Sequence, residues 1–299
     1  MKGLDIGFPP LKIDSGKNIH VVTGVSGELI KLNNDLEAIG NISKPFPSSI
    51  ISSAILGDKW IGAWVEGELR QARMAALNIN DEWQDGVSKA ELRNSSRKSQ
   101  LHPESNSWSQ LLDTIPTALS EIGGNLCFSS SGKGIYKINS DCKEIWRAEI
   151  PKWWNDKKIE NQDMIVGFVQ TKEGLVSISQ AGGVAIFDVN GVLIQTKIIN
   201  LPEIITGFTY DEKNGWFIKL NGKCFATMRS IQEKPKIHRT TGPIYHVISE
   251  NGAWKWTGWR HDGMMNQGVI TTKSRPDIGV GIIDNVVLTN NGKWDELRI

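Results

Sequence analysis

Seven times along this chain a short glycine-bearing turn joins two runs in which apolar and polar residues alternate. Alternation with period two marks a half-buried strand, and a Gly, Asn or Asp turn between two such runs marks a β-hairpin. The turns lie at Gly16 in "LKIDSGKNIHVV", Gly57 in "AILGDKWIGAWV", Gly123 and Gly124 in "SEIGGNLCFSS", Gly174 in "FVQTKEGLVSIS" and Gly215 in "FTYDEKNGWFIKL". Gly252 in "SENGAWKW" and Gly292 in "TNNGKW" complete the series, and these two stretches are near-copies. Counting from Gly16 through Gly57, Gly124, Gly174, Gly215 and Gly252 to Gly292, the gaps are 41, 67, 50, 41, 37 and 40 residues.

A second internal comparison gives the same period. At a shift of 49, "GIYKINSDCKEI" (Gly134–Ile145) falls on "GVAIFDVNGVLI" (Gly183–Ile194) without a gap. "GELIKLNND" (Gly27–Asp35) matches "KGIYKINSD" (Lys133–Asp141) at a shift of 106. Each unit therefore reads as two hairpins in series. A single four-stranded unit cannot bury both of its faces, whereas units stacked face to face can. Four short strands in about 40–45 residues is the spacing of β-propeller blades. The expected fold is all-β: a single β-propeller domain over residues 1–299 with about seven four-stranded blades. Six is the alternative count, because residues 244–299 parse in two ways. Only "KWDELRI" follows Gly292, too little for a blade, and "GLDIGF" (Gly3–Phe8) precedes the first turn. That N-terminal strand is expected to complete the last blade and close the ring.

The one long gap holds an irregular insertion at about 80–120. Residues 93–109 are nearly free of aliphatics and rich in Ser, Asn, Arg and Lys, the composition of a loop. Ser107 or Ser109 could cap a short helix over "SWSQLLDTI". On a propeller such an insertion projects from one rim, where it can meet a partner.

Composition narrows the function classes. With 34 basic and 33 acidic residues the net charge is +1, so neither nucleic acid nor an anionic membrane is the expected partner. Cys127, Cys142 and Cys224 form no paired motif, which reads as buried free thiols. The N-terminus lacks the apolar core of a signal peptide and no apolar run of about 18 residues occurs, so a soluble, cytoplasmic protein is expected. The five histidines are scattered, and no metal site or cofactor is expected. "SSGKG" (Ser130–Gly134) lacks the Ser or Thr of a phosphate loop, and carboxylate pairs such as Asp81-Glu82 are adjacent and face opposite sides of a strand.

Twelve tryptophans are many for 299 residues. Trp60, Trp216, Trp254 and Trp294 each follow a turn by one to three residues, a recurrence that points to packing between blades. Trp153 and Trp154 in "PKWWNDKK" sit between blades beside Lys152, Lys157 and Lys158, and Trp259 opens "WRHDGMMNQG". These three rings are the candidate binding residues, able to stack on a sugar, a base or a partner side chain. Arg260, His261 and Asp262 are the candidate catalytic residues, an acid–base pair and a cation in one stretch.

"GIYKINSDCKEIWRAEI" (Gly134–Ile150) is similar to the blade of quinoprotein-like propellers, with Trp146 in the place of their tryptophan. The other units lack that Trp, so no quinone cofactor is implied. Trp294-Asp295 resembles the dipeptide of the WD-repeat family, which this chain carries once. "SENGAW" and "TNNGKW" resemble the Asp-box of sialidase-like propellers, with Asn251 and Asn291 in place of its Asp and Ala253 and Lys293 in place of its Thr. These resemblances imply the architecture and no catalytic motif. The expected function is a non-catalytic platform that binds another protein through rim loops or the insertion. The alternatives are a hydrolase or lyase with Arg260, His261 and Asp262 at an axial channel, and a carbohydrate-binding propeller using Trp153, Trp154 and Trp259.

Overall fold

The computed structural model describes residues 5–68, 71–155, 159 and 162–299. Among these, 27 strands form seven antiparallel sheets. Six sheets have four strands, over residues 10–43, 49–112, 116–148, 165–198, 205–239 and 244–274. The seventh has three: Gly279–Ile283, Val286–Thr289 and Trp294–Glu296. Within every sheet the strands pair in chain order, as a succession of hairpins requires. The expected seven blades of an all-β chain are thus present. No helix among the described residues is long and apolar enough to cross a membrane.

The sheets fall into two compact units. One comprises Leu11–Ile150 with Val189–Val192 and carries the first three sheets; the other comprises Met1–Pro10, Pro151–Asp188 and Leu193–Ile299 and carries the last four. In the first unit, Val21 and Leu29 of the first sheet pack on Trp60, Trp64 and Leu77 of the second. In the second unit, Val176 and Ile186 of the fourth sheet pack on Trp216, Ile218 and Met228 of the fifth, and Phe217 and Phe225 pack on Trp254 and Trp256 of the sixth. Trp60, Trp216 and Trp254 therefore fill the spaces between sheets, as their place in the repeat implies; Trp294 is half-buried. Cys127 and Cys224 are buried and Cys142 is half-buried, all three free.

The near-copies at Gly252 and Gly292 are two different turns. Asn251 (φ 50°) and Gly252 (φ 76°) form a two-residue hairpin loop closing the pair Glu250–Ala253, between the first and second strands of the sixth sheet. Gly292 (φ 81°) ends a longer turn in which its N–H donates to Thr289 O and the Thr289 N–H to Lys293 O, each at 2.9 Å. That turn joins the second and third strands of the seventh sheet; the same bonding recurs at Gly24–Gly27, between the second and third strands of the first sheet. The first-to-second turn of the seventh sheet is Asp284-Asn285. Six of the seven glycine turns thus share one phase, and Gly292 lies one hairpin later.

The closing strand expected from Gly3–Phe8 is not seen. Gly3 and Leu4 lie outside the described residues, and Asp5–Phe8 is not strand. Ile6 and Phe8 are buried, and the Ile6 N–H donates to Gly292 O at 3.0 Å.

The insertion is more ordered than its composition implies. The segment expected to be a helix is the strand Asn106–Leu112, the outermost of the second sheet, paired with Gln71–Asn78. The helix lies upstream at Lys89–Asn94, where Ser88 and Glu91 form a reciprocal capping box. The connection is pinned to the first two sheets. Trp83 packs on Trp60 and donates to Asn78 O at 2.8 Å, Leu92 is buried, and Lys31 donates to Ile79 O and Asp81 O at 2.8 and 2.6 Å. Burial depresses the Lys31 ammonium, opposed by the Asp81 and Glu82 carboxylates.

Candidate functional site

The stretch carrying the candidate catalytic residues joins the strands Ala253–Gly258 and His261–Asn266 of the sixth sheet. Its three members part company there. Arg260 (φ 56°) is exposed at the turn, whereas His261 and Asp262 are buried. His261 donates from Nδ1 to Trp259 O at 3.0 Å, and its Nε2 meets the Thr240 hydroxyl at 2.9 Å.

Asp262 is the hub of a closed ionic cluster. Its Oδ1 accepts from Thr257 Oγ1 at 2.6 Å, and Arg275 Nη1 reaches both carboxylate oxygens at 2.8 and 2.7 Å. The Arg298 N–H donates to Oδ2 at 3.0 Å. Arg275 Nη2 and Arg298 Nη2 both reach Asp295 Oδ2, at 3.2 and 2.9 Å. Arg275 and Asp262 have no exposed side-chain surface. Close approach of the seventh sheet makes this possible: a Cβ on Gly279 would lie 1.7 Å from Thr257 Oγ1. A carboxylate so enclosed is a fastening between the sixth and seventh sheets, with its acceptor positions already taken.

The candidate binding tryptophans also differ in setting. Trp153 and Trp154 are half-buried, and both indole N–H groups are engaged, Trp153 with Val184 O at 2.9 Å and Trp154 with Asp163 Oδ2 at 2.7 Å. Asp163 also accepts from Ser179 Oγ and the Ala181 N–H, so this pair of rings anchors its loop to the fourth sheet. Lys152 is exposed; Lys157 and Lys158 lie outside the described residues. Trp259 is 50% exposed, and its backbone N–H donates to Pro243 O at 2.9 Å.

A cavity of about 460 Å³ lies where the fifth and sixth sheets meet, and none of its residues was among those candidates. Lys213, Arg229, Lys234 and Lys236 line it, with Glu233 as its one carboxylate and Met228, Trp254 and Met265 as apolar surface. His238 lines it too, buried, stacked on Phe225 and bonded through Nε2 to the Thr227 hydroxyl at 2.8 Å. Burial first, then the charge of Lys236, pushes the His238 imidazole below its ordinary range. The signal for this site was present in "MRSIQEKPKIHR" (Met228–Arg239), a basic run with a single acid that spans the last loop and the last strand of the fifth sheet. Among the described residues no group of three or more His, Cys, Asp or Glu is placed to hold a metal ion.

No family model matches the chain, and no curated protein matches it by sequence. Its likeness is to solved structures at low identity. Virginiamycin B lyase from Staphylococcus aureus is 13% identical with a TM-score of 0.66, covering 99% of this chain and 96% of that one. The β-propeller domain of Cps50 (Swd1) from Myceliophteria thermophila is 10% identical at a TM-score of 0.66, covering 96% and 95%. BamB from Moraxella catarrhalis is 14% identical at 0.59, covering 95% and 84%. One of these is a lyase by name and the others are not, so the shared feature is the backbone alone. The chain has the β-propeller fold.

Proposed function

We propose that this propeller is a non-catalytic platform that binds a protein partner by strand addition. The observation that carries the reading is the strand Leu193–Ile198, the outermost of the fourth sheet. It leaves Leu193, Ile194 and Ile198 46%, 59% and 40% exposed. Thr196 and Ile198 share one face at period two, and Leu193 and Ile194 stand exposed at a bulge just before them, together a largely apolar stretch beside a backbone edge that no strand of the sheet covers. Exposed edges of this kind pair with an added strand, the main chain supplying affinity and the alternate side chains specificity. The edge is held in place, since the Lys197 ammonium bonds to Ile231 O and Gln195 bonds to Gln232. The enclosure of His261 and Asp262 supports a platform over the hydrolase or lyase reading. The carbohydrate reading retains one half-exposed ring, Trp259, in place of a set of equivalent sites.

The test is differential capture followed by reconstitution. The wild-type protein should retain a partner that binds again when both are purified, and Ile194→Lys with Ile198→Lys should abolish that binding while leaving thermal unfolding unchanged. A partner retained equally by the double variant would remove this edge from the account.

A further inference from the structure

We infer that the cavity between the fifth and sixth sheets is a binding site for a small organic molecule carrying two or more phosphate charges. This goes beyond the platform reading and does not rest on it, because the cavity and the Leu193–Ile198 edge are built from different strands.

The charge balance points to the ligand. Lys213, Arg229, Lys234 and Lys236 face the cavity against Glu233, and none of the four cations forms an ion pair among the described residues. Glu233 is turned toward its own loop, where its Oε2 accepts the Arg229 N–H at 3.2 Å. In a chain whose net charge is +1, such a local excess of cations is a departure from the whole. A monocarboxylate would leave most of that repulsion standing, whereas a diphosphate or bisphosphate would offset it. Lysine ammonium groups and an arginine fork are the donors that phosphate oxygens accept best.

The site is also shaped in advance. Ile231, buried in the core between the fourth and fifth sheets, pins the loop that bears Arg229 and Lys234. Within that loop the Glu233 N–H donates to Ser230 O at 3.1 Å and the Gln232 N–H to Ser230 Oγ at 3.2 Å. Pro235 fixes the backbone between Lys234 and Lys236. Held groups lose less freedom on binding than free ones. The volume exceeds what a bare oxyanion needs and falls within the range of small-molecule sites. The Trp254, Met228 and Met265 surface supplies an apolar seat for the organic part.

Isothermal titration with inorganic diphosphate, ADP and fructose 1,6-bisphosphate tests this on the full chain. The wild type should bind diphosphate, and Arg229→Glu with Lys234→Glu should weaken it about tenfold or more. Lys293→Glu with Lys17→Glu, two exposed lysines outside the cavity lining, makes the same change of net charge and should leave binding unchanged. Tighter binding of ADP than of diphosphate assigns the apolar seat to a base, and tighter binding of fructose 1,6-bisphosphate assigns the site to a sugar phosphate. Binding absent at millimolar concentration, or equal in the Arg229/Lys234 and Lys17/Lys293 variants, overturns the inference. The residues exchanged are exposed, so unfolding curves superimposable on the wild type show that the fold is retained.

Discussion

The sixth sheet has a charged cluster on each side, and the two are built on opposite plans. Toward the seventh sheet, Asp262 and Asp295 are matched by Arg275 and Arg298, and the inner pair has no exposed side-chain surface. Toward the fifth sheet, Lys213, Arg229, Lys234 and Lys236 face one carboxylate across an open cavity. Where the counter-charge is supplied by the chain, the group fastens two sheets. Where it is missing, the side chains remain available to something from outside. The stretch most suggestive of catalysis in the sequence belongs to the first plan, and the basic run Met228–Arg239 belongs to the second.

The largest effect that would break this comparison is at Arg275. Arg275→Met leaves the Asp262 carboxylate buried without its cation and should cost about 3–5 kcal/mol in urea unfolding. Asp262→Leu combined with Arg275→Met should recover part of that loss, because breaking a buried pair costs more than removing it, while the Thr257 hydroxyl and the Arg298 N–H lose their acceptor. Next is Gly279→Ala, whose added Cβ would overlap Thr257 Oγ1 and should cost about 1–3 kcal/mol by the same measurement. A smaller effect sharpens the other side. The His238 imidazole is depressed in the folded protein relative to its ordinary value of 6.5. The unfolded chain therefore binds the proton more readily, and the His238 contribution to stability, full above 6.5, is lost as pH falls below it. Thermal unfolding between pH 7.5 and 5 should show a shallower decline for His238→Gln than for the wild type. Smallest of all, Lys234→Glu should shift stability by no more than about 0.5 kcal/mol, since its side chain is exposed and forms no ion pair among the described residues.

Much of the architecture was legible because strand alternation and turn residues are local signals. The segments "GIYKINSDCKEI" and "GVAIFDVNGVLI" do occupy equivalent strands, Gly134–Ile138 with Glu144–Ala148 and Gly183–Phe187 with Leu193–Ile198. The phase of Gly292 was not legible, because an Asn-Gly pair supplies a left-handed residue to a two-residue and to a longer turn alike; strand length decides between them. The helix expected over "SWSQLLDTI" is largely the strand Asn106–Leu112 for a similar reason. Trp108, Leu111 and Leu112 fall at helical spacing, and an edge strand with much of its surface in solvent has little alternation to set against that. The ionic cluster depends on pairing across strands: His261 opposite Ser274 brings Arg275 beside Asp262, 13 residues away in the chain. The cationic cavity depends on pairing within the fifth sheet, where Trp216 opposite Met228 brings the turn at Lys213 to a basic run that begins 16 residues later, and on the sixth sheet, whose Trp254 and Met265 add its apolar surface.

The most direct measurement is a paired one: urea unfolding and diphosphate titration of two double variants, Asp262→Leu with Arg275→Met and Arg229→Glu with Lys234→Glu. The first should bind diphosphate as the wild type does, with its stability partly restored relative to Arg275→Met alone. The second should unfold as the wild type does and lose binding about tenfold or more. Loss of diphosphate binding in the Asp262/Arg275 variant with the cavity variant unaffected would contradict the assignment of one cluster to the fold and the other to a ligand.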